Sequence, residues 1–127
     1  MNAERWWLIL RAWCALARYD VAKTLFGFRS LASQLGPQCA AGTVDPERIA
    51  RLCDAVDLAA CFYFKPVFCV QRSSALVRIL RKQSINSELV IGYRPVPFLA
   101  HSWVESGGRV VGDSSRYRDL LKVLQRL

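Results

Sequence analysis

The chain has 127 residues, 53% of them hydrophobic and 22% charged, with a formal net charge of +8. That length holds one domain, or one domain with a helical appendage, and excludes a multi-domain enzyme or a dinucleotide-binding fold with its own substrate domain. The apolar share fills a core and excludes disorder, while the basic excess taken alone points to an acidic partner: nucleic acid, membrane or peptide.

The charge is unevenly placed. Residues 1–65 carry 8 basic and 6 acidic side chains, and residues 66–127 carry 10 and 4. The five cysteines, at positions 14, 39, 53, 61 and 69, are odd in number and irregular in spacing. Such usage fits a reducing compartment, and the reading is a cytoplasmic protein. Residues 6–17 are mostly apolar, and Ala15-Leu16-Ala17 imitates a signal cleavage site. Arg11 interrupts that run and Arg18 ends it after about a dozen residues, too short for a membrane span and wrong for a signal peptide.

Trp6, Ile9, Leu10, Trp13 and Leu16 recur at helical spacing, so residues 4–18 are predicted as an amphipathic helix with that face inward. Residues 19–35 continue as one or two helical pieces interrupted near Gly27, and Gly36, Pro37 and Gly42 mark a loop. Asp45-Pro46-Glu47 is a helix start: a capping acceptor, a proline suited to the first turn, and an acid favoured by the dipole. Ile49, Leu52, Cys53, Val56 and Ala60 form its buried stripe, and Lys65-Pro66 ends the segment. Residues 69–83 read as a helix with Leu76, Ile79 and Leu80 inward. Strands follow at 88–93, 98–105 and 109–113, with a turn at Ser106-Gly107-Gly108, and residues 116–126 read as a terminal helix. Helices followed by a small antiparallel sheet make an α+β domain.

The one histidine, His101, sits mid-strand between apolar residues, where an imidazole needs a hydrogen-bond partner. A three-residue hairpin loop over 106–108 sets Glu105 opposite Arg109, Trp103 opposite Val111 and His101 opposite Asp113. A two-residue Gly-Gly turn puts Asp113 on the other face, so the three-residue loop is the prediction. A His–Asp pair on adjacent strands is two thirds of a triad. Cys69 supplies the nucleophile, because the start of a helix favours a thiolate and its first N–H groups help hold an oxyanion. Cys61 is the rival nucleophile, at the wrong end of its helix. Cys14, Cys39 and Cys53 read as buried and inert. Scattered cysteines and one histidine show no zinc-ligand spacing, and no glycine loop cradles phosphate.

Four blocks in order carry a resemblance: Cys69 to Leu76, Leu89-Val90-Ile91-Gly92, Pro97 to Glu105, and Gly112-Asp113. Together they resemble the lasso-peptide leader peptidases, the transglutaminase-like cysteine proteases of lasso-peptide biosynthesis. The likeness spans about residues 66–120, with Ser102 where that family usually has alanine. It implies a helical region over 1–62 that docks a partner or leader, and a papain/transglutaminase-like core over 63–127, its nucleophile helix packed on the sheet. It implies Cys69 as nucleophile, His101 as base, Asp113 as the orienting carboxylate and the Cys69 N–H as an oxyanion donor, with no second donor identifiable. Arg72 either lines the site or is solvated, and the solvated reading is preferred. No cofactor or metal is implied. The implied partners are the precursor peptide with its leader, a separate leader-recognition protein and the lasso cyclase, with neither nucleic acid nor membrane contact. Three other readings stay open: a transglutaminase-like enzyme that exchanges amides in another peptide pathway, a non-catalytic basic binding module, and a membrane-surface protein using its Trp-rich first helix. The cations Arg72, Arg78, Arg81 and Lys82 on the nucleophile helix are expected to favour the thiolate and attract an acidic leader or partner.

Overall fold

The computed structural model describes residues 3–27, 29, 31–38 and 45–127. The expectations for Cys39 and Gly42 lie outside them. Helix α1 runs Ala3–Phe26, longer than predicted, and turns Ile9, Ala12, Ala15, Leu16 and Tyr19 inward. Trp6 and Leu10, predicted on the inner face, are 53% and 51% exposed. The run Trp6 to Leu10 is apolar all round the helix, so its spacing selects no face. The small Ala12 and Ala15 mark where neighbouring helices approach. Gly27, with φ +76°, donates its N–H to the Lys23 carbonyl and closes the helix in the left-handed conformation. A short α2, Leu31–Gln34, follows.

Helix α3 spans Pro46–Cys61 and begins as expected, with the Asp45 side chain accepting the Glu47 N–H at 3.1 Å. It ends at Cys61, before Lys65-Pro66. Its inner face is Ile49, Leu52, Cys53, Ala55, Val56 and Ala59, with Ala60 only partly buried. Helix α4, Cys69–Lys82, is the centre of the domain and packs against α1, α3 and the sheet. Even its polar Gln71, Ser73 and Ser74 are buried.

The antiparallel sheet has the order β3-β2-β1-β4, built from β1 (Glu88–Pro95), β2 (Phe98–Ser106), β3 (Arg109–Val111) and β4 (Lys122–Arg126). The predicted terminal helix over 116–126 is therefore corrected. Only α5, Arg116–Leu120, is helical, and residues 122–126 pair with β1. The apolar positions there fit a helix as well as a strand, and the open edge of β1 decided between them, because its N–H and C=O groups need partners. Leu89 and Leu127 exchange both backbone hydrogen bonds, at 2.8 and 3.0 Å.

The β2–β3 hairpin is also corrected. Ser106 faces Arg109, Glu105 faces Val110 and Val104 faces Val111, so the loop is the two-residue Gly107-Gly108 turn. Both glycines have positive φ, +61° and +76°, as the primed turns of tight hairpins require. The expected pairs Glu105–Arg109 and Trp103–Val111 do not form.

One face of the sheet, with Leu89 and Val104, shares the main core with α1, α3 and α4. The other face holds Val90, Trp103 and Leu121, flanked by Leu99, Val110 and Tyr117. There the buried carboxylate of Glu105 accepts the Trp103 Nε1–H at 2.9 Å and meets Arg126 at 3.2 Å and Arg118 at 3.3 Å. Burial alone pushes its carboxyl up, but these donors and charges outweigh it and hold the group below the usual carboxylate range.

Candidate active site

His101 Nε2 and Asp113 Oδ2 lie 2.7 Å apart, the histidine half-buried and the aspartate at the surface. The pair forms despite the hairpin, not through it. In the observed register Asp113 belongs opposite Ser102, but β3 stops at Val111 and Gly112 adopts φ +70°. That single left-handed residue turns the chain back across the strand and delivers the carboxylate to the imidazole. The Asp113 Oδ1 also accepts the Ser114 N–H at 2.7 Å, which fixes the carboxylate plane.

Gly112 has no room for a side chain. A Cβ there lies 3.0 Å from Cys53 Sγ, 3.1 Å from Arg72 Nη2 and 3.4 Å from Leu76 Cδ2. Gly112→Ala combines strained φ with this crowding, so a loss of about 1–3 kcal/mol is expected in urea unfolding. An unchanged midpoint counts against the left-handed turn.

Two further contacts orient these groups, and the sequence hid both. Tyr117 of α5 stacks on the imidazole, ring centroids 3.9 Å apart at 29°. With Nε2 engaged by Asp113, ring and carboxylate hold His101 so that Nδ1 is left for proton exchange. Arg72, read from sequence as solvated, is instead a bridge. Its Nε donates to Asp57 Oδ1 at 2.7 Å and its Nη2 to the Gly112 carbonyl at 2.8 Å. It ties α3, the first turn of α4 and the Asp113 loop together.

Cys69 is the first residue of α4 and half-buried. The capping residue Phe68 makes no side-chain hydrogen bond to the helix, so no cap consumes the first N–H groups. One turn on, the Ser73 hydroxyl donates to the Ser102 carbonyl at 3.2 Å. The first two turns of α4 are thus bound to residues 102 and 112, the chain neighbours of His101 and Asp113. His101 and Asp113 touch directly. Cys69 heads the helix so anchored, and among the described residues no hydrogen bond joins its sulfur to the imidazole.

Behind Cys69 lies a polar cluster. Gln71 Nε2 donates to the Leu16 carbonyl at 3.0 Å and to Asp20 Oδ2 at 2.9 Å, so it points into α1 and not toward an oxyanion. Asp20 also receives the Tyr63 hydroxyl and pairs with Lys65 at 2.8 Å. Burial pushes the Asp20 carboxyl up, but the hydrogen bonds of Lys65, Tyr63 and Gln71 hold it below its ordinary range. Tyr19 is buried beside the thiol. Burial first, then the charges of Asp20 and Cys69, raises its hydroxyl above the usual value.

The other described cysteines are free thiols. Cys53 lies beneath Gly112, and burial pushes it up to about 11, so it stays neutral. Cys61 ends α3, exposed, with no histidine or carboxylate partner among the described residues. Cys14, read from sequence as buried, is exposed on α1. Among the described residues no helix is long and apolar enough to cross a membrane.

Comparisons with known proteins bear on this arrangement. The chain is 48% identical over 59 residues to the microcin J25-processing protein McjB of Escherichia coli, a stretch covering 46% of this chain and 28% of that protein. The chain therefore spans well under two thirds of that relative. No solved structure matches. The family model for the transglutaminase-like superfamily matches residues 13–126, from within α1 through β4. An α+β domain with a cysteine-led helix on an antiparallel sheet, matched over most of its length, is a member of the transglutaminase-like superfamily.

Proposed function

We propose that this protein is a leader peptidase that hydrolyses one peptide bond in a ribosomally made lasso-peptide precursor, using Cys69, His101 and Asp113. The observation that carries the reading is the double anchoring of the first two turns of α4, through Ser73 to Ser102 and Arg72 to Gly112, beside a His101–Asp113 hydrogen bond. The likeness to a microcin-processing protein supports the substrate class.

The Cys69 thiolate attacks the scissile carbonyl, and His101 Nδ1 holds the thiol proton and gives it to the leaving amine. The amine departs, leaving a thioester. Water, deprotonated by His101, then releases the acid and restores the thiol. Asp113 fixes the ring and stabilises the imidazolium. The first N–H groups of α4 face the developing oxyanion. The leader is presented by a separate recognition protein in the cytoplasm, and the helical region over residues 1–62 contributes to docking. The cyclase consumes the freed amine.

The test is a reconstitution of this chain with a precursor and its recognition protein, followed by mass spectrometry. Hydrolysis gives two fragments whose summed mass exceeds the precursor by one water. A product lighter by ammonia identifies amide exchange and overturns the reading.

Arg72 is a positioning residue in this scheme. Arg72→Ala is expected to lower kcat about 10- to 100-fold with KM nearly unchanged, and Arg72→Lys to recover part of it. An equal rise in KM with kcat intact points to substrate binding instead.

A further inference from the structure

The charge of α4 is not where it helps Cys69. Arg72 is paired with Asp57, and Arg81 donates to the carbonyls of Gly36, Ser87 and Leu127. The remaining cations, Arg78 (which donates to the Gln34 carbonyl at 2.7 Å) and Lys82, lie about 14 and 20 Å along the helix from Cys69 at 1.5 Å per residue. There they meet Arg11 and Arg18 of α1. The crowding registers in each group. Burial, then Arg18, pulls Arg78 below its ordinary value, and Arg78, then burial, Arg11 and Arg18 pull Lys82 down.

Arg11 also faces a cleft of about 310 Å³ between α1, α3 and the end of α4, lined by Trp7, Arg48, Arg51, Leu52 and Gln83 among others. Glu4 is the one carboxylate in that lining and makes no ion pair among the described residues. None of Arg11, Arg18, Arg48, Arg51, Arg78 and Lys82 is ion-paired among the described residues, Arg48 donating instead to the neutral Gln83 side-chain oxygen in the cleft, whereas Arg72, Arg118 and Arg126 all are. Trp7 in that lining is 59% exposed. Gathering like charges and bare apolar surface at one place costs stability, and a partner of opposite charge offsets that cost.

We propose that this cleft docks an acidic protein segment, whose carboxylates enter between Arg11, Arg48 and Arg51 while its apolar side chains cover Trp7. Guanidinium groups grip carboxylates through two parallel hydrogen bonds, which suits a concave site fed by three helices. A bilayer meets a convex helix face, and a nucleic acid backbone leaves Trp7 uncovered. The surface stands apart from the Cys69 chemistry, and its occupation does not require that chemistry to be right.

Fluorescence anisotropy with a labelled peptide of glutamate and leucine tests it, beside a labelled DNA oligonucleotide and phosphatidylglycerol vesicles. Wild type and Cys69→Ala are expected to bind the peptide equally and saturably, more weakly as salt rises. The pair Arg48→Glu and Arg51→Glu, both on the exposed side of α3, is expected to weaken binding at least about tenfold. Trp7→Ser is expected to weaken it with the salt dependence retained, and it decides the matter should the double variant not fold. Absent or salt-insensitive peptide binding, full binding by the variants, or preference for DNA or vesicles overturns the proposal.

Discussion

Cys69→Ala is expected to lower leader removal by at least about 10⁴-fold while the domain stays folded. The side chain is half-buried and makes no capping contact, so its loss costs the fold within about 1 kcal/mol. His101→Ala is expected to lose about as much, and the double variant no more than either single one, because nucleophile and base act as a unit. Asp113→Asn is expected to lose less, about 10²- to 10³-fold, since Tyr117 still holds the ring and only the charged partner is gone. Single-turnover cleavage followed by mass spectrometry measures all four. Residual cleavage by Cys69→Ala near the wild-type rate sinks the triad, and full additivity of the two single losses argues that Cys69 and His101 act separately.

The largest effect on stability is expected at Glu105. Glu105→Ala leaves the Trp103 Nε1–H without its partner and takes the buried counter-charge from Arg118 and Arg126. The expected loss is about 3 kcal/mol at neutral pH, read from the urea midpoint. The pH dependence carries its own sign. The folded carboxyl titrates below the ordinary value, so the folded state binds fewer protons than the unfolded one. Its contribution is complete above the unfolded value of about 4.3 and is lost as pH falls through the folded one. The gap between wild type and Glu105→Ala should therefore narrow in acid. A gap that stays constant down to about pH 3 assigns the effect to packing.

Much of this architecture was legible in the sequence, and the failures have identifiable causes. The start of α3 was readable because Asp45, Pro46 and Glu47 are local signals, complete within one turn. Helix α4 and the first two strands followed from spacing. The end of the chain did not, because residues 120–127 suit either period and the free edge of β1 chose. The sequence leads to a His101–Asp113 contact through a hairpin register that does not form. The glycine pair at 107–108 called for a two-residue turn, and the need to bring Asp113 across was instead met by Gly112. Arg72 and Tyr117 were out of reach because their roles exist only once α3, α5 and the sheet are assembled.

The buried amide of Gln71 sets something that apolar packing leaves open. The face that α1 offers to its neighbours includes Ala12 and Ala15, small and alike, so a slide of one turn keeps much of the same contact. Such a slide carries Leu16 and Asp20 away together, and strands the Gln71 amide, the Tyr63 hydroxyl and the Lys65 ammonium in one move. Polar groups buried this way make alternative alignments expensive even where they add little to net stability. The cluster behind the thiol is therefore a registration pin. It fixes how far α1 is pushed along α4, and so the depth at which Tyr19 sits beside Cys69.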